Sequence, residues 1–218
     1  MDLHRQIDGY CERLDLTFWA EPINAVTNLA FMIAAVIMWR RTGGMPLARA
    51  LCVILFLIGV GSALFHTFAT IWAVNADVIP ILVFVLVYLY GILTAYFGLS
   101  KWWGLAGVVL FFPYAAATVP LFNWMGIFGS SASYMPIWLG IALFGLILSQ
   151  SKPEVGKGML IGAAILGVSI TFRTIDEPLC HAIPHGTHFL WHFLNGIMLG
   201  WMIEVYRRHR LAAPAAQG

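Results

Sequence analysis

Charged residues are scarce in this chain of 218 residues, since Asp, Glu, Lys and Arg together make up 10% of it. A soluble domain carries about 25% charged residues, so the composition argues against a soluble globule and against a disordered chain. Twelve basic and ten acidic residues leave a net charge of +2, which is too small for the electrostatic footprint of a nucleic-acid-binding protein. We therefore expect no nucleic-acid partner.

Cysteine is also rare. Cys11, Cys52 and Cys180 are scattered without a Cys-x-x-Cys pair, so they form neither a disulfide framework nor a thiolate zinc motif. Cys11 and Cys180 both fall outside the apolar segments and are able to pair, but their spacing does not decide whether they do. The first twenty residues are polar and contain no apolar signal-peptide segment.

Long apolar runs are what the chain has instead: 61% of its residues are hydrophobic and its mean hydropathy is +0.84. A helix needs about 20 mostly apolar residues to cross a bilayer. Seven stretches qualify, and turn-like polar connections separate several of them. They are Pro22–Arg40, Pro46–Phe68, Val74–Gly98, Trp102–Phe122, Ser133–Gln150, Lys157–Phe172 and His185–Tyr206.

These runs predict an all-α membrane protein, a bundle of seven transmembrane helices in a single domain over residues 1–210. Residues 1–20 form an acidic N-terminal segment, and residues 211–218 a short flexible tail. If the C-terminus is cytoplasmic, nine of the twelve Lys and Arg residues lie on the inner side and three on the outer side. This bias places the N-terminus outside and predicts an integral multi-pass membrane protein.

The seventh stretch contains the most informative polar residues. His188 and His192 are four residues apart, so they lie on one helix face, and two imidazoles at that spacing are able to bind one metal ion. His181 and His185 have the same spacing, but the neighbouring prolines favour a loop there. Ionisable side chains inside a membrane span are costly and indicate function; the alternative is that these histidines hydrogen-bond neighbouring helices.

The second stretch ends in a similar pattern, with Ser62 and His66 four residues apart. This span runs from inside to outside and the seventh runs back, so His66 is expected at the depth of His188 and His192. Three imidazoles with an open fourth position are the composition of a catalytic zinc site. Ser62 either belongs to that site or bonds the carbonyl of its own preceding turn.

Asp77 follows His66 by eleven residues, at the start of the third stretch. A carboxylate there either orients a histidine ring or acts as the base that takes a proton from water. The alternative is a helix cap, because an aspartate before an apolar run suits an N-terminus.

A last polar group opens the first stretch. Glu21, Asn24 and Asn28 form a stripe on one helix face, which either bonds neighbouring helices as structural polar residues or holds an ion. Three more acids precede them, and oxygen ligands suit a hard cation such as calcium. The calcium site that these acids suggest comprises Asp8, Glu12, Asp15 and Glu21; a solvated acidic terminus is the alternative.

Taken in order, four segments resemble the alkaline ceramidase family. They are Glu21-Pro-Ile-Asn24 with Asn28, Ser62-Ala-Leu-Phe-His66, Asp77, and His188-Phe-Leu-Trp-His192. The wider superfamily, which includes the adiponectin-receptor-like proteins, is similar in its Ser-x-x-x-His, Asp and His-x-x-x-His elements. The Glu-to-Asn opening and the seven-span length favour the ceramidase branch.

The resemblance implies an intramembrane zinc held by His66, His188 and His192, with Asp77 and Ser62 contacting the attacking water or the substrate carbonyl. It also implies a calcium site formed by the N-terminal acids and Glu21. The expected reaction is hydrolysis of the amide bond of ceramide-like lipids, within the bilayer, to a long-chain base and a fatty acid.

Three other functions are compatible with the same residues. The site could process a different lipid amide or ester, because nothing in the spans recognises a headgroup. A seven-helix receptor or sensor would hold a structural zinc, although its short inner loops leave little surface for a signalling partner. A proton or metal transporter would use intramembrane His and Asp, although the inner halves of the spans lack a matching chain of ionisable residues. The sequence does not determine the oligomeric state.

Overall fold

The computed structural model describes residues 2–212, and within them the chain is helical apart from loops and one isolated antiparallel bridge between Gln6 and Thr70. The α-helices are α1 (Pro22–Thr27), α2 (Leu29–Arg41), α3 (Pro46–Phe68), α4 (Ile71–Gly91), α5 (Lys101–Trp124), α6 (Met135–Ser151), α7 (Pro153–Thr174) and α8 (His188–Ala212). A π-helical turn, Ile92–Tyr96, extends α4, and 3₁₀ turns cover Gly129–Tyr134 and Glu177–Leu179.

Six helical stretches among the described residues are long and apolar enough to cross a membrane. They are Pro22–Arg41, Pro46–Phe68, Ile71–Tyr96, Lys101–Trp124, Gly129–Ser151 and Pro153–Thr174. Helix α8 has 25 residues, ample for a bilayer, but its polar residues lower its apolar character. Length and composition therefore support six of the seven predicted spans.

Several predicted boundaries need correction. The first span is interrupted at Asn28, whose side-chain amide donates to the carbonyl of Asn24 at 2.8 Å; such local bonds compete with the regular helix ladder. Helix α4 begins at Ile71, three residues before the predicted start, because Thr70 adopts an extended conformation at its N-cap. The predicted tail began at residue 211, but α8 continues to Ala212. Residues 213–218 of that tail lie outside the described part of the chain.

The core is built where α3 packs against α4 and α2, and α7 packs between α6 and α8. Leu51, Leu55, Met159, Met202 and Ile203 are among its fully buried side chains. These residues belong to α3, α7 and α8. Two of these three central helices, α3 and α8, also carry the predicted metal ligands.

A polar assembly marks each end of the bundle. At one end, the buried Glu204 near the end of α8 pairs with Arg41 at 3.0 Å and with Arg207 and Arg208 at 2.8 Å. At the other end, a disulfide joins Cys11 in the N-terminal segment to Cys180 in the α7–α8 loop, with the Cα atoms 5.2 Å apart. The sequence left this pairing open. The disulfide fixes the N-terminal segment over the end of the bundle where α3 stops and α8 begins.

Asp176 also holds the N-terminal segment in this position. Its buried carboxylate accepts hydrogen bonds from the backbone N–H groups of Cys11 (3.1 Å), Thr187 (2.6 Å) and His188 (2.8 Å). Carboxylates at a helix start satisfy N–H groups that have no partner within the helix. One side chain therefore holds both the disulfide segment and the first turn of α8.

Candidate metal centre

The three predicted histidine ligands lie together at the disulfide end of the bundle. His66 is in the last turn of α3, and His188 and His192 occupy the first two turns of α8. All three are buried, and one ring nitrogen from each lies within 4.8 Å of those of the other two. The i, i+4 spacing and the opposite directions of the two helices, both read from the sequence, produce this meeting. His181 and His185 lie in the α7–α8 loop, as their prolines predict.

The ring nitrogens of this group fit a metal ion. His66 Nε2, His188 Nδ1 and His192 Nε2 are all buried and have no hydrogen-bond partner. Buried polar atoms in native proteins nearly always have a partner, and each one left unpaired costs about 1–3 kcal/mol. Three such atoms in one cluster are accounted for if they are ligands, and three imidazoles are a donor set that zinc takes in catalytic sites.

The opposite nitrogens of two rings are fixed by outer partners. His66 Nδ1 lies 2.6 Å from Glu21 Oε2, and His192 Nδ1 lies 2.9 Å from Thr27 Oγ1. Such partners set the orientation and tautomer of metal-ligating histidines. Burial acts to raise the pKa of the Glu21 carboxyl, but its hydrogen bonds with His66 and Arg13 outweigh this and leave the pKa lowered. Glu21 is therefore an ionised acceptor for His66.

Ser62 and Asp77 adjoin the histidines. The carboxyl group of Asp77 lies beside the Ser62 hydroxyl, and Ser62 is one turn before His66 on the same face of α3. Since α4 begins at Ile71, Asp77 is in its second turn, and the helix-cap interpretation is wrong. Gly61 allows α3 and α4 to come close together, because a Cβ on this residue would lie 2.0 Å from the carbonyl oxygen of Ala76. The absence of a side chain there brings α3 and α4 together beside Asp77.

Tyr10 forms a wall of the site that the sequence did not indicate. Its ring stacks on that of His188, with centroids 3.8 Å apart, and lies 5.2 Å from the ring of His66. Burial raises the pKa of the Tyr10 phenol, although Arg173 opposes this. Because Tyr10 is next to Cys11 in the chain, the disulfide holds it in place. Tyr10 belongs to no helical pattern that would have identified it as a site residue. Thr27 was also missed, although it lies between Asn24 and Asn28.

The four acids of the predicted calcium site are not assembled around a common point. Within residues 2–212, the three histidines are the group of three or more His, Cys, Asp or Glu side chains arranged to hold an ion. Glu12 accepts the N–H groups of Ile23 (2.6 Å) and Asn24 (2.8 Å), and so caps α1.

The other acids are engaged elsewhere or face away. Asp8 is exposed. Asp15 is exposed and accepts the hydroxyl and N–H of Thr17, which lower its pKa. Glu21 is buried against Arg13 and His66.

The two asparagines, predicted to bond neighbouring helices or to hold an ion, use their amide groups within their own stretch of chain. The Asn24 amide donates to Glu21 Oε2 at 3.2 Å, and the Asn28 amide bonds the carbonyl of Asn24. Both side-chain carbonyl oxygens are buried without a partner. Asn24 therefore helps to hold the glutamate that bonds His66.

Comparison with known proteins decides the family. A family model described as Ceramidase matches residues 9–215, which contain the three histidines together with Ser62 and Asp77. This chain belongs to the ceramidase family. A comparison with curated proteins gives no significant match. Membership in the ceramidase family supports hydrolysis of the amide bond of ceramide, a lipid substrate.

Proposed function

We propose that this ceramidase is an intramembrane, zinc-dependent amidohydrolase that cleaves ceramide-like lipids to a long-chain base and a fatty acid. The observation that carries the proposal is the cluster of three buried, unpartnered histidine nitrogens beside a carboxylate and a hydroxyl. A hydrolytic metal site needs this set of ligands, base and hydrogen-bond donor, and the ceramidase family supplies the substrate class.

His66, His188 and His192 would hold the zinc ion. The chemistry that a zinc ion would supply there is a lowered pKa of water, towards 7, and polarisation of an amide carbonyl group. Glu21 and Thr27 fix two of the three rings, so little reorganisation is needed when substrate binds.

The two side chains beside the histidines have different roles in the proposed reaction. Asp77 takes a proton from the water whose oxygen attacks the amide carbon, and it later returns a proton to the nitrogen as the C–N bond breaks. The Ser62 hydroxyl donates a hydrogen bond to the carbonyl oxygen as negative charge develops there. A donor of this kind contributes on the order of 3 kcal/mol to transition-state stabilisation. The products are a free amine and a carboxylic acid.

An apolar cavity supports a lipid substrate. It has a volume of about 360 Å³, and its lining includes Phe84, Tyr88, Phe111, Ile141 and Met202. Phe84 follows Asp77 by seven residues on α4, which corresponds to about 10 Å along a helix. A hydrocarbon chain whose amide lies at the histidines has an apolar space two turns deeper in the bundle.

We further propose seven spans, with α8 as the seventh, the N-terminus outside and the C-terminus cytoplasmic. The excess of Lys and Arg on one side supports this orientation. The Cys11–Cys180 disulfide lies at the opposite end from Glu204 and its arginines, and disulfides persist in oxidising compartments. The histidine site then lies in the outer half of the membrane.

The decisive experiment measures zinc and turnover on the same preparations. Wild-type protein should contain about one zinc per chain and release fatty acid from ceramide, whereas His192→Ala should lose most of the zinc. Asp77→Asn should keep the zinc and lose hydrolysis. Zinc-free but folded wild type would refute the metal site. Full activity of Asp77→Asn would refute the base role.

The same preparations separate two of the other functions, and metal or proton flux into sealed vesicles tests the third, a transporter. A receptor or sensor with structural zinc would bind the metal without turnover. A different lipid amide or ester, supplied beside ceramide, would be hydrolysed faster if it were the natural substrate.

A further inference from the structure

The side chain of Arg13 lies where the resemblance led us to expect a calcium ion. It is 1% exposed, and its Nε lies 2.5 Å from Glu21 Oε1. Its two terminal nitrogens donate to the backbone carbonyl oxygens of Asp15 and His66, each at 3.2 Å. One carboxylate and two backbone carbonyls, drawn from three segments, therefore surround a single positive charge.

Oxygen atoms of these kinds are the ligands that calcium takes in proteins. The guanidinium group of arginine stays protonated at any physiological pH, so its charge is a permanent part of the chain. We propose that Arg13 replaces a calcium ion in this ceramidase. The protein binds no calcium at its N-terminal acids, and Arg13 is a positioning residue for the metal ligand His66.

The remaining oxygen atoms do not provide a second place for the ion. Calcium takes 6–8 oxygen ligands, and its affinity depends on how many of them are charged. Both carboxylate oxygens of Glu12 accept backbone N–H groups, and Asp15 is bonded to Thr17 at the surface. The unpartnered acceptors nearby are the side-chain oxygens of Asn24 and Asn28, which are neutral.

The positioning role follows from two contacts that Arg13 makes on the same histidine. Through Glu21 it neutralises the carboxylate that bonds His66 Nδ1, and directly it holds the backbone carbonyl of His66. Without the guanidinium, Glu21 would be a buried anion facing the ring with no fixed counter-charge. Loss of an outer partner of a metal ligand typically lowers metal affinity by about 10–100-fold. This second role rests on the zinc site proposed above; the absence of calcium does not.

Calcium binding to wild-type protein in lipid nanodiscs tests the first half of the proposal. Radiolabelled calcium should show no saturable binding, and millimolar calcium should leave the midpoint of thermal unfolding unchanged. With free zinc held constant by a metal buffer, ceramide hydrolysis should be equal with and without calcium. Saturable binding of about one calcium per chain, or a rise in the unfolding midpoint, would overturn it. Both binding and unfolding remain informative for a protein that holds no zinc.

Zinc affinity of variants tests the second half. In competition with a chromophoric chelator, Arg13→Ala should bind zinc about 10–100-fold more weakly than wild type. Arg13→Lys should recover part of the lost zinc affinity, because lysine keeps the positive charge but lacks the planar guanidinium group with its several N–H donors. Arg5→Ala is the matched control, since Arg5 is exposed in the same N-terminal segment.

Zinc affinities are compared only between variants that unfold cooperatively and are therefore folded. If Arg13→Ala does not fold, the zinc affinity of Arg13→Lys is compared with that of Arg5→Ala. An affinity of the tested Arg13 variant equal to that of Arg5→Ala would refute the positioning role.

Discussion

Replacement of Gly61 by alanine tests whether the contact between α3 and α4 sets the position of Asp77, the proposed catalytic carboxylate. The new Cβ would lie 2.0 Å from the carbonyl oxygen of Ala76, 2.7 Å from its carbon and 3.2 Å from the nitrogen of Asp77. Real Cβ contacts are not closer than 3.0 Å, so the two backbones must separate by about 1 Å. A displacement of this size can cost about 100-fold in rate when it misplaces a reacting group.

We therefore expect Gly61→Ala to lower kcat for ceramide hydrolysis by about 100-fold. The zinc content should stay near that of wild type, because α3, which carries His66, is also held by α2 and α8, whereas α4 carries none of the three histidines and is the helix expected to move. Gly200→Ala is the matched control: its Cβ would meet Ala34 at 3.4 Å, an ordinary contact. Fatty-acid release, zinc per chain and the unfolding midpoint are measured for all three proteins. A Gly61→Ala protein with wild-type rate and stability would refute the reasoning.

Three further substitutions test the surroundings of the histidines. Glu21→Gln removes the charge that bonds His66 and should lower zinc affinity by about 10–100-fold in chelator competition; a wild-type affinity would contradict this role. Thr27→Val keeps the shape of the side chain but loses the bond to His192, so its zinc affinity should fall within the same range. Cys11→Ser should lower the free energy of unfolding by about 2–5 kcal/mol, and a reducing agent should then cause no further loss. The same agent should destabilise the wild type, and a wild type insensitive to it would show that the disulfide adds no stability.

The histidine group was predictable because its signals are local. His188 and His192 are polar residues on one face of an apolar run, and the direction of consecutive spans brings His66 to the same depth. Helix periodicity and the high cost of ionisable groups in a membrane are enough to identify such a site. The pattern left the roles of Ser62 and Asp77 open between function and local structure, and the family resemblance favoured function for both.

The residues that the sequence did not reveal depend on the N-terminal segment. Tyr10 and Arg13 lie in a stretch without regular secondary structure, so no period links them to the histidines 53 or more positions further along the chain. The disulfide joins cysteines separated by 169 positions, a pairing that spacing does not determine. The start of α4 was placed at Val74 rather than Ile71, and this error made Asp77 resemble a cap. Composition does not mark the true start, because Ile71, Trp72 and Ala73 are as apolar as Val74.

The N-terminal segment is part of the candidate metal centre rather than a solvated acidic terminus. Tyr10 stacks on His188, Glu12 caps α1, and Arg13 bonds the Glu21–His66 pair. The first residues of this segment pair with the α3–α4 connection through the Gln6–Thr70 bridge. The part that reaches the histidines is held by the Cys11–Cys180 bond and by the Asp176 carboxylate, which also bonds the first N–H of α8. Reduction of the disulfide releases the side chains that cover the histidines. Zinc affinity should therefore fall on reduction at temperatures where the helices are still folded.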